Sequence, residues 1–355
     1  GGVCGTPKRS KKSKKSKHDK KPAESPHSKP TSSSAASATS GQDDEKGLMT
    51  CSYWQRAASK KNANRMIVIM RSAERVDRLF GKEWLTTEAP HGYLTPTDLN
   101  VQNNPQSKKF LHDGIFKENT PITSFGKYST QLTARALANR GIKSKLIICS
   151  PTLRAIQTAE ALAKFMKAKI AVEPGLVEPL AWYRAAGSKA PDFHLNEIAK
   201  EFPINTDYTP IMSVDSVTKS FDSETEMQGL SRVDFVLRSL AGEQRSEALI
   251  VVAHAITLAA AAALAYPQKE NEQKQKTASD GTASPITSFD WHQSVDMLEG
   301  DVVDQVNLGL RFPPGSVIAL NQVNKGPPFL YQLTPGVIPP LSYGETFTNS
   351  AIVEA

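Results

Sequence analysis

The sequence predicts an α/β fold, a three-layer αβα sandwich in which helices cover both faces of a mostly parallel sheet. Short apolar runs suited to buried strands alternate along the chain with longer segments of helical periodicity, and this alternation is typical of such sheets. The strand candidates are RMIVIMR, KLIICS, KIAVEP, ALIVVAH and SVIALNQ, at residues 65–71, 145–150, 169–174, 248–254 and 316–322. The helix candidates are residues 124–140, 152–166, 223–240 and 257–266.

The longest apolar stretch, residues 248–266, is predicted to be a buried strand followed by a helix. It is interrupted by His254 and Thr257 and contains many alanines. A membrane span would need about 20 strongly apolar residues.

The chain is predicted to consist of a tail and one folded domain. Residues 1–61 form a disordered basic tail and linker, because their Ser, Ala, Pro, Thr and charged residues lack the apolar content that offsets ordering entropy. Residues 62–350 form the α/β domain, and the polar stretch at residues 267–284 is a loop inserted in it.

The positive charge of the chain is confined to this tail. The net charge is +7, but residues 8–29 contain ten Lys/Arg and two acids, a balance of +8 that leaves the rest near −1. A basic arm differs from a basic face on a domain, so the folded part is not expected to bind nucleic acid. Three scattered cysteines offer neither a disulfide framework nor metal-ligand spacing, which favours a reducing, cytoplasmic location without a metal cofactor.

The amino terminus predicts attachment to the inner face of a membrane. Gly1 is an acceptor for N-myristoylation with Thr6 at the motif's Ser/Thr position, and Cys4 is a candidate for palmitoylation. The lysine run adds attraction to anionic lipids, and two such signals anchor a protein stably. The alternatives are a nuclear-targeting or nucleic-acid-binding tract and a solvated tail without a binding role.

Polar side chains cluster where the predicted strands end. They are Arg71, Ser72 and Arg75 after the first strand, Ser150 and Arg154 after the second, and His254 at the end of the fourth. Ligands of such sheets bind just beyond the carboxyl ends of the strands. Guanidinium groups and helix amino termini both favour phosphate, so together these residues predict a phosphate pocket.

Four segments resemble, in order, the landmarks of the histidine phosphatase (phosphoglycerate mutase-like) superfamily: VIMRSAERVD, ICSPTLRAIQTAEAL, EPGLVE and VVAHAIT. The segment PITSFGKYSTQLTARAL is similar to a further helix of that family. ERVDRLFGKEWL, TPTDLN and NTDYTP also resemble the phosphatase domain of ubiquitin-associated and SH3 domain-containing proteins. The resemblance covers residues 64–349 and implies a phosphoglycerate mutase-like fold.

The resemblance also implies roles for individual residues. Arg71, Arg154 and His254 match the phosphate-binding residues of the family, and Arg75 matches its further arginine. Glu178 matches the residue that donates a proton to the leaving group.

Ser72 stands where the family has its nucleophilic histidine. A serine hydroxyl is a weak nucleophile unless a base or a metal activates it. The resemblance therefore implies a pseudophosphatase that still binds phosphate, as a reader of a phosphorylated small molecule or phosphopeptide or as a membrane-tethered scaffold.

Two active alternatives remain open at the level of the sequence. The first is a phosphomonoesterase with residual or rerouted chemistry. The second is a cysteine phosphatase that uses Cys149, although only four residues separate Cys149 from Arg154 where the cysteine phosphatase loop has five.

Overall fold

The computed structural model describes the greater part of the predicted domain. The described ranges are residues 66–117, 119–243, 246–265, 297–298, 302–324, 330–334 and 336–338. Gly1, Cys4, the basic run and the polar stretch at 267–284 lie outside these ranges. The predicted tail, the lipidation sites, the inserted loop and the domain boundaries therefore stay predictions.

Strands and helices alternate along the described chain. The strands are β1 (Met66–Arg71), β2 (Leu146–Cys149), β3 (Lys169–Val172), β4 (Leu249–Ala253), β5 (Met297–Leu298), β6 (Val302–Val303), β7 (Val317–Gln322) and β8 (Tyr331–Leu333). The longer helices are α3 (Pro105–His112), α4 (Ser124–Asn139), α5 (Leu153–Met166), α9 (Glu226–Gly242) and α10 (Ala255–Leu264). The shorter helices are α1 (Val76–Phe80), α2 (Trp84–Glu88), α6 (Leu180–Ala185), α7 (Leu195–Ile198), α8 (Val214–Lys219) and α11 (Gln305–Arg311).

Six of these strands form one sheet in the order β3-β2-β4-β1-β7-β8. The first four are mutually parallel, whereas β7 and β8 add antiparallel pairs at one side. The register pairs Arg71 with Ala253 and Cys149 with Val252. The carboxyl ends of β1, β2 and β4 therefore lie side by side at one edge of the sheet.

The sheet has a hydrophobic core on each face. Alternate residues of β1 point to opposite sides, so Val68 and Met70 join one core while Ile67 and Ile69 join the other. Helices α4 and α5 cover the first face, and α9 and α10 cover the second. This arrangement confirms the three-layer αβα sandwich with a mostly parallel sheet.

Local signals in the sequence set where the flanking helices begin. Thr123 caps α4 by accepting a hydrogen bond from the backbone N–H of Gly126 at 2.9 Å. Thr225 and Gln228 form a reciprocal capping box at the start of α9. Helix α10 consists mainly of alanine and leucine and is buried on nearly all sides, as expected for a helix inside the molecule.

The five predicted strands and four predicted helices are all present, with ends shifted by up to three residues. The sequence prediction missed α3, the two- and three-residue strands β5, β6 and β8, and the short helices, whose four to seven residues are too few to show a clear period. Among the described residues, no helix is long and apolar enough to cross a bilayer.

Candidate functional site

The parallel register brings three predicted site residues to the same edge of the sheet. The backbone N–H of Ser72 donates to the carbonyl of Ala253 at 2.8 Å, and that of Ser150 donates to Val252 at 3.0 Å. His254 directly follows β4, the strand between them. Ser72, Ser150 and His254 of the predicted strand-end cluster are therefore neighbours in the fold.

A buried polar network crosses this edge from β2 to the segment after β3. Arg154 donates through Nη2 to Glu178 Oε2 at 2.5 Å and lies 3.4 Å from His254 Nδ1. His254 Nε2 lies 2.8 Å from the Ser150 hydroxyl, and its Nδ1 is 3.8 Å from Glu178 Oε2. The Tyr183 hydroxyl is 3.4 Å from the same carboxylate oxygen.

The protons on His254 follow from its partners. A guanidinium group can only donate, so Nδ1 accepts from Arg154 and Nε2–H donates to Ser150. Burial lowers the pKa of His254 most, and Arg154 and Arg71 lower it further against the opposing effect of Glu178, to about 3. His254 is therefore a neutral imidazole with both ring nitrogens engaged.

The Glu178 carboxylate is ionised in this arrangement. Burial favours its protonated form. The positive charges around it lower the pKa of Glu178 to about 2, with the largest effect from His254 when that residue is protonated and the next from Arg154. The carboxylate in turn raises the pKa of the buried Arg154 against the effect of desolvation. Glu178 can take up and donate a proton only after another anion has replaced it as the partner of Arg154.

Backbone carbonyls late in the sequence hold the Arg71 side chain in place. Its Nη1 donates to the carbonyls of Gly309, at 3.1 Å, and Phe312, which lie at the carboxyl end of α11. The negative end of a helix dipole suits a guanidinium group. Burial lowers the pKa of Arg71 from its high normal value, and the side chain is fixed beside Ser72 before any ligand arrives.

Arg75 is engaged by a carboxylate close in sequence. Its Nε and Nη2 donate to the two oxygens of Asp77 at 2.8 and 2.5 Å, a bidentate pair. The guanidinium nitrogens of Arg75 that would bind a phosphate are thus paired with Asp77. A phosphate-binding role for Arg75 stays a prediction, and it requires exchange of that partner.

Ser72 is buried, and its carbonyl accepts from the backbone N–H of Gly315 at 3.2 Å. Its hydroxyl makes no hydrogen bond to another residue in the described ranges. The next residue, Ala73, donates to the Thr158 hydroxyl at 3.0 Å, and Thr158 donates to the Arg154 carbonyl at 2.7 Å. Thr158 therefore fixes the chain after Ser72 against α5.

The structure excludes Cys149 as a nucleophile. The side chain is fully buried in the core between sheet and helices, and burial raises the pKa of its thiol well above the normal value. A thiol without access to solvent or to a thiolate form is not reactive. Elsewhere in the described part of the chain, no three His, Cys, Asp or Glu residues converge as a metal ion would require.

Sequence reasoning missed three contributors to this site: Tyr183, Asp77 and Thr158. Thr158 meets Ala73 at a separation of 85 residues, and the hydroxyl of Tyr183 meets Glu178 only once the chain turns into α6, so periodicity signals neither role. Asp77, two residues after Arg75, was visible as a potential ion pair.

The family model for the histidine phosphatase superfamily (branch 1) matches residues 113–294, slightly more than half of the 355-residue chain. The chain belongs to the histidine phosphatase superfamily. The matched range contains Arg154, Glu178 and His254, whereas Arg71 and Ser72 precede it.

Curated relatives match the chain over part of its length. Ubiquitin-associated and SH3 domain-containing protein A of Homo sapiens is 33% identical over 163 residues, 44% of this chain and 24% of that protein. The ecdysteroid-phosphate phosphatase of Drosophila melanogaster is 33% identical over 201 residues, 55% of this chain and 26% of that protein. The chain thus spans about a quarter of the length of these relatives.

A solved structure supports the fold. The ecdysone phosphate phosphatase from Bombix mori, crystallised with tungstate, superposes with a TM-score of 0.53 and 20% identity, covering 81% of this chain and 100% of that one. At this identity the likeness establishes the phosphoglycerate mutase-like fold.

The buried neutral His254 predicts that the folded domain loses stability in mild acid. The unfolded chain protonates this histidine near pH 6.5, whereas the folded chain does so only near pH 3, so a falling pH favours unfolding. Between pH 7 and pH 5 the loss from this residue is about 2 kcal/mol. Denaturant titrations at both pH values measure it.

The variant His254→Gln should lose about 2 kcal/mol less than wild type over the same interval. His112→Gln, a change at a largely exposed histidine, is the matched control. An equal loss in His254→Gln and wild type would show that folding leaves the pKa of His254 unchanged.

Proposed function

We propose that this protein is a catalytically impaired histidine phosphatase-like protein that binds a phosphorylated ligand at the carboxyl edge of its sheet. The observation that carries the proposal is the convergence of Arg154, Glu178 and His254 beside a serine that stands at the nucleophile position. The residues proposed to surround the phosphate lie together, and Ser72 stands in place of the histidine that would attack phosphorus.

The charges around the edge favour a dianionic phosphoryl group. Arg71 and the buried Arg154 supply two guanidinium groups. Helices α5 and α10 both begin at this edge, and a helix amino terminus carries partial positive charge. The Glu178 carboxylate opposes an anion, so binding requires that it move away from Arg154 or take up a proton.

Within the described part of the site, neither His254 nor Glu178 is placed to act as a base towards Ser72. His254 already accepts from Arg154 at one nitrogen and donates to Ser150 from the other. Glu178 is paired with Arg154 and, at a pKa of about 2, is a weak base. A serine without such help attacks a phosphomonoester poorly.

The ligand class follows from the same groups. Two guanidinium groups and two helix amino termini select a phosphate monoester, which presents three terminal oxygens, over a diester. The names of the relatives include a phosphatase of ecdysteroid phosphates. A phosphorylated small molecule is therefore a reasonable ligand class, and a phosphopeptide satisfies the same contacts.

An active phosphomonoesterase is the second candidate. It is favoured by the retention of Arg71, Arg154, Glu178 and His254 in one neighbourhood, because electrostatic stabilisation of the transition state does not depend on the nucleophile. Turnover measurements separate the two candidates.

A role at a membrane completes the proposal. The ten Lys/Arg between residues 8 and 29 lie outside the described ranges, but their charge alone favours an anionic lipid surface at about 1 kcal/mol each near the surface. A phosphate reader with this tail would act at the cytoplasmic face of a membrane.

Inorganic phosphate should stabilise the wild-type domain against heat. A ligand at 100 times its dissociation constant adds about 2.7 kcal/mol to the free energy of unfolding. Arg154→Ala should abolish the shift in melting temperature, and Arg135→Ala, an exposed arginine of α4, should keep it. A full shift in Arg154→Ala would move the ligand away from this edge.

Ser72→His should create or greatly increase phosphomonoesterase activity, by at least about 10²-fold, because a nucleophile returns to an arranged pocket. Hydrolysis of a generic phosphomonoester by wild type, Ser72→Ala and Ser72→His is the measurement. Adding Arg154→Ala to Ser72→His should cancel the gain. Brisk wild-type turnover that Ser72→Ala removes would contradict impairment and make Ser72 a working nucleophile.

The full chain should bind vesicles containing phosphatidylserine and not vesicles of phosphatidylcholine alone. Replacing the ten Lys/Arg of residues 8–29 with glutamine should abolish sedimentation with anionic vesicles, because the attraction is electrostatic. Equal recovery with both lipids, or with the neutralised tail, would refute attachment through this run.

A further inference from the structure

We infer that Arg232, together with Glu224, is a positioning residue that holds the Glu178 carboxylate against Arg154. The inference rests on the phosphate site proposed above and assigns the part of the molecule that sets its geometry. Neither residue lies at the carboxyl edge of the sheet. Both act on the segment 175–180, which carries Glu178 between β3 and α6.

Arg232 grips this segment through its backbone. From α9, its Nη1 donates to the carbonyls of Gly175 at 2.7 Å and Val177 at 2.9 Å, and its Nη2 donates to the carbonyl of Glu178 at 3.2 Å. Three carbonyls within four consecutive residues are thus held by one side chain. The backbone immediately before the acid has no freedom to rotate without breaking them.

Glu224 holds the other side of the acid. Its Oε1 accepts from the backbone N–H of Leu180 at 2.8 Å, two residues after Glu178. The same carboxylate receives Arg232 Nε at 2.7 Å and Nη2 at 3.0 Å. All five N–H groups of Arg232 therefore have acceptors, and the pair clamps the segment from both ends.

Burial makes the ion pair between Arg232 and Glu224 costly in free energy, because both charges lose their hydration. Each side chain is only 6% exposed. Two charges removed from water gain little net stability, and apolar residues of similar volume often stabilise a fold equally well. What an apolar pair cannot do is donate to three carbonyls and accept from a backbone N–H.

Close packing leaves no free space between α9 and the segment 175–180. A Cβ on Gly229 would lie 2.7 Å from Pro179 Cβ, and one on Gly175 would lie 2.6 Å from Val236 Cγ2. Both distances are below any normal contact, so these glycines let the acid-bearing segment lie directly on the helix. Arg184 of α6 also donates to the Glu224 carbonyl at 2.6 Å.

The fixed backbone explains how Glu178 reaches Arg154. The carboxylate is 26% exposed at the site, yet it meets the guanidinium group at 2.5 Å. A carboxylate on a mobile loop would spend much of its time in water instead. The clamp keeps Glu178 in competition with an incoming anion for Arg154.

A double-mutant cycle on phosphate affinity tests this inference with the full chain. Glu178→Gln alone should tighten binding of inorganic phosphate at pH 8 about tenfold, because it removes the competing charge. Arg232→Lys keeps the charge but cannot span Glu224 and three carbonyls. It should itself tighten binding, and adding Glu178→Gln to it should give little further change.

A merely structural role gives a different result. Arg232→Lys would then lower the melting temperature, while Glu178→Gln would still tighten phosphate binding by the same factor in both backgrounds. Such additivity overturns the inference. Arg238→Lys, which alters an ion pair with Asp234 on the same helix α9, is the matched control and should leave the Glu178→Gln effect at its full size.

Glu224→Gln provides a second route if Arg232→Lys fails to fold. It keeps an oxygen for the N–H of Leu180 and loses the charge that orients Arg232, so it should also shrink the Glu178→Gln effect. Failure of the underlying phosphate site is distinct from failure of the clamp. In that case wild type and Arg154→Ala bind phosphate equally weakly, whatever the cycle shows.

Discussion

The ion pair between Arg154 and Glu178 sets the character of the whole site. A guanidinium group this deeply buried needs an anion, and the carboxylate at 2.5 Å is the one the fold provides. The positive charge of Arg154 helps to keep Glu178 ionised, and burial keeps the neighbouring His254 neutral. The proposed phosphate binding would therefore depend on a single exchange, in which a phosphoryl group replaces Glu178 on Arg154.

In the proposed function, Ser72 in place of a nucleophilic histidine removes the attacking group and leaves this electrostatic arrangement intact. The hydrogen bonds of Arg154, Glu178, His254 and Ser150 do not involve the Ser72 side chain. A pocket of this kind can lose its attacking group and keep its affinity. The proposed binding function rests on this separation of affinity from attack.

Much of the fold and part of the site could be predicted from the sequence, because strand ends carry a local signal. Short apolar runs located β1, β2 and β4, and the polar residues that follow them located Ser72, Ser150 and His254. The clamp could not be predicted this way. Arg232 lies 54 residues from Glu178 and meets its backbone, and carbonyl groups are the same in every residue. The antiparallel β8 was missed because its three residues show no period, and Tyr183 because its hydroxyl meets Glu178 only once the chain turns into α6.

The hold of α11 on Arg71 links the first strand of the sheet to a helix more than 230 residues later in the chain. Opening of the last turn of α11 therefore requires that the hydrogen bonds of Arg71 to Gly309 and Phe312 break. A ligand that engages Arg71 makes that opening rarer, and slower amide hydrogen exchange in α11 is its signature. A short surface helix thus reports on the state of a pocket formed at the other end of the sequence.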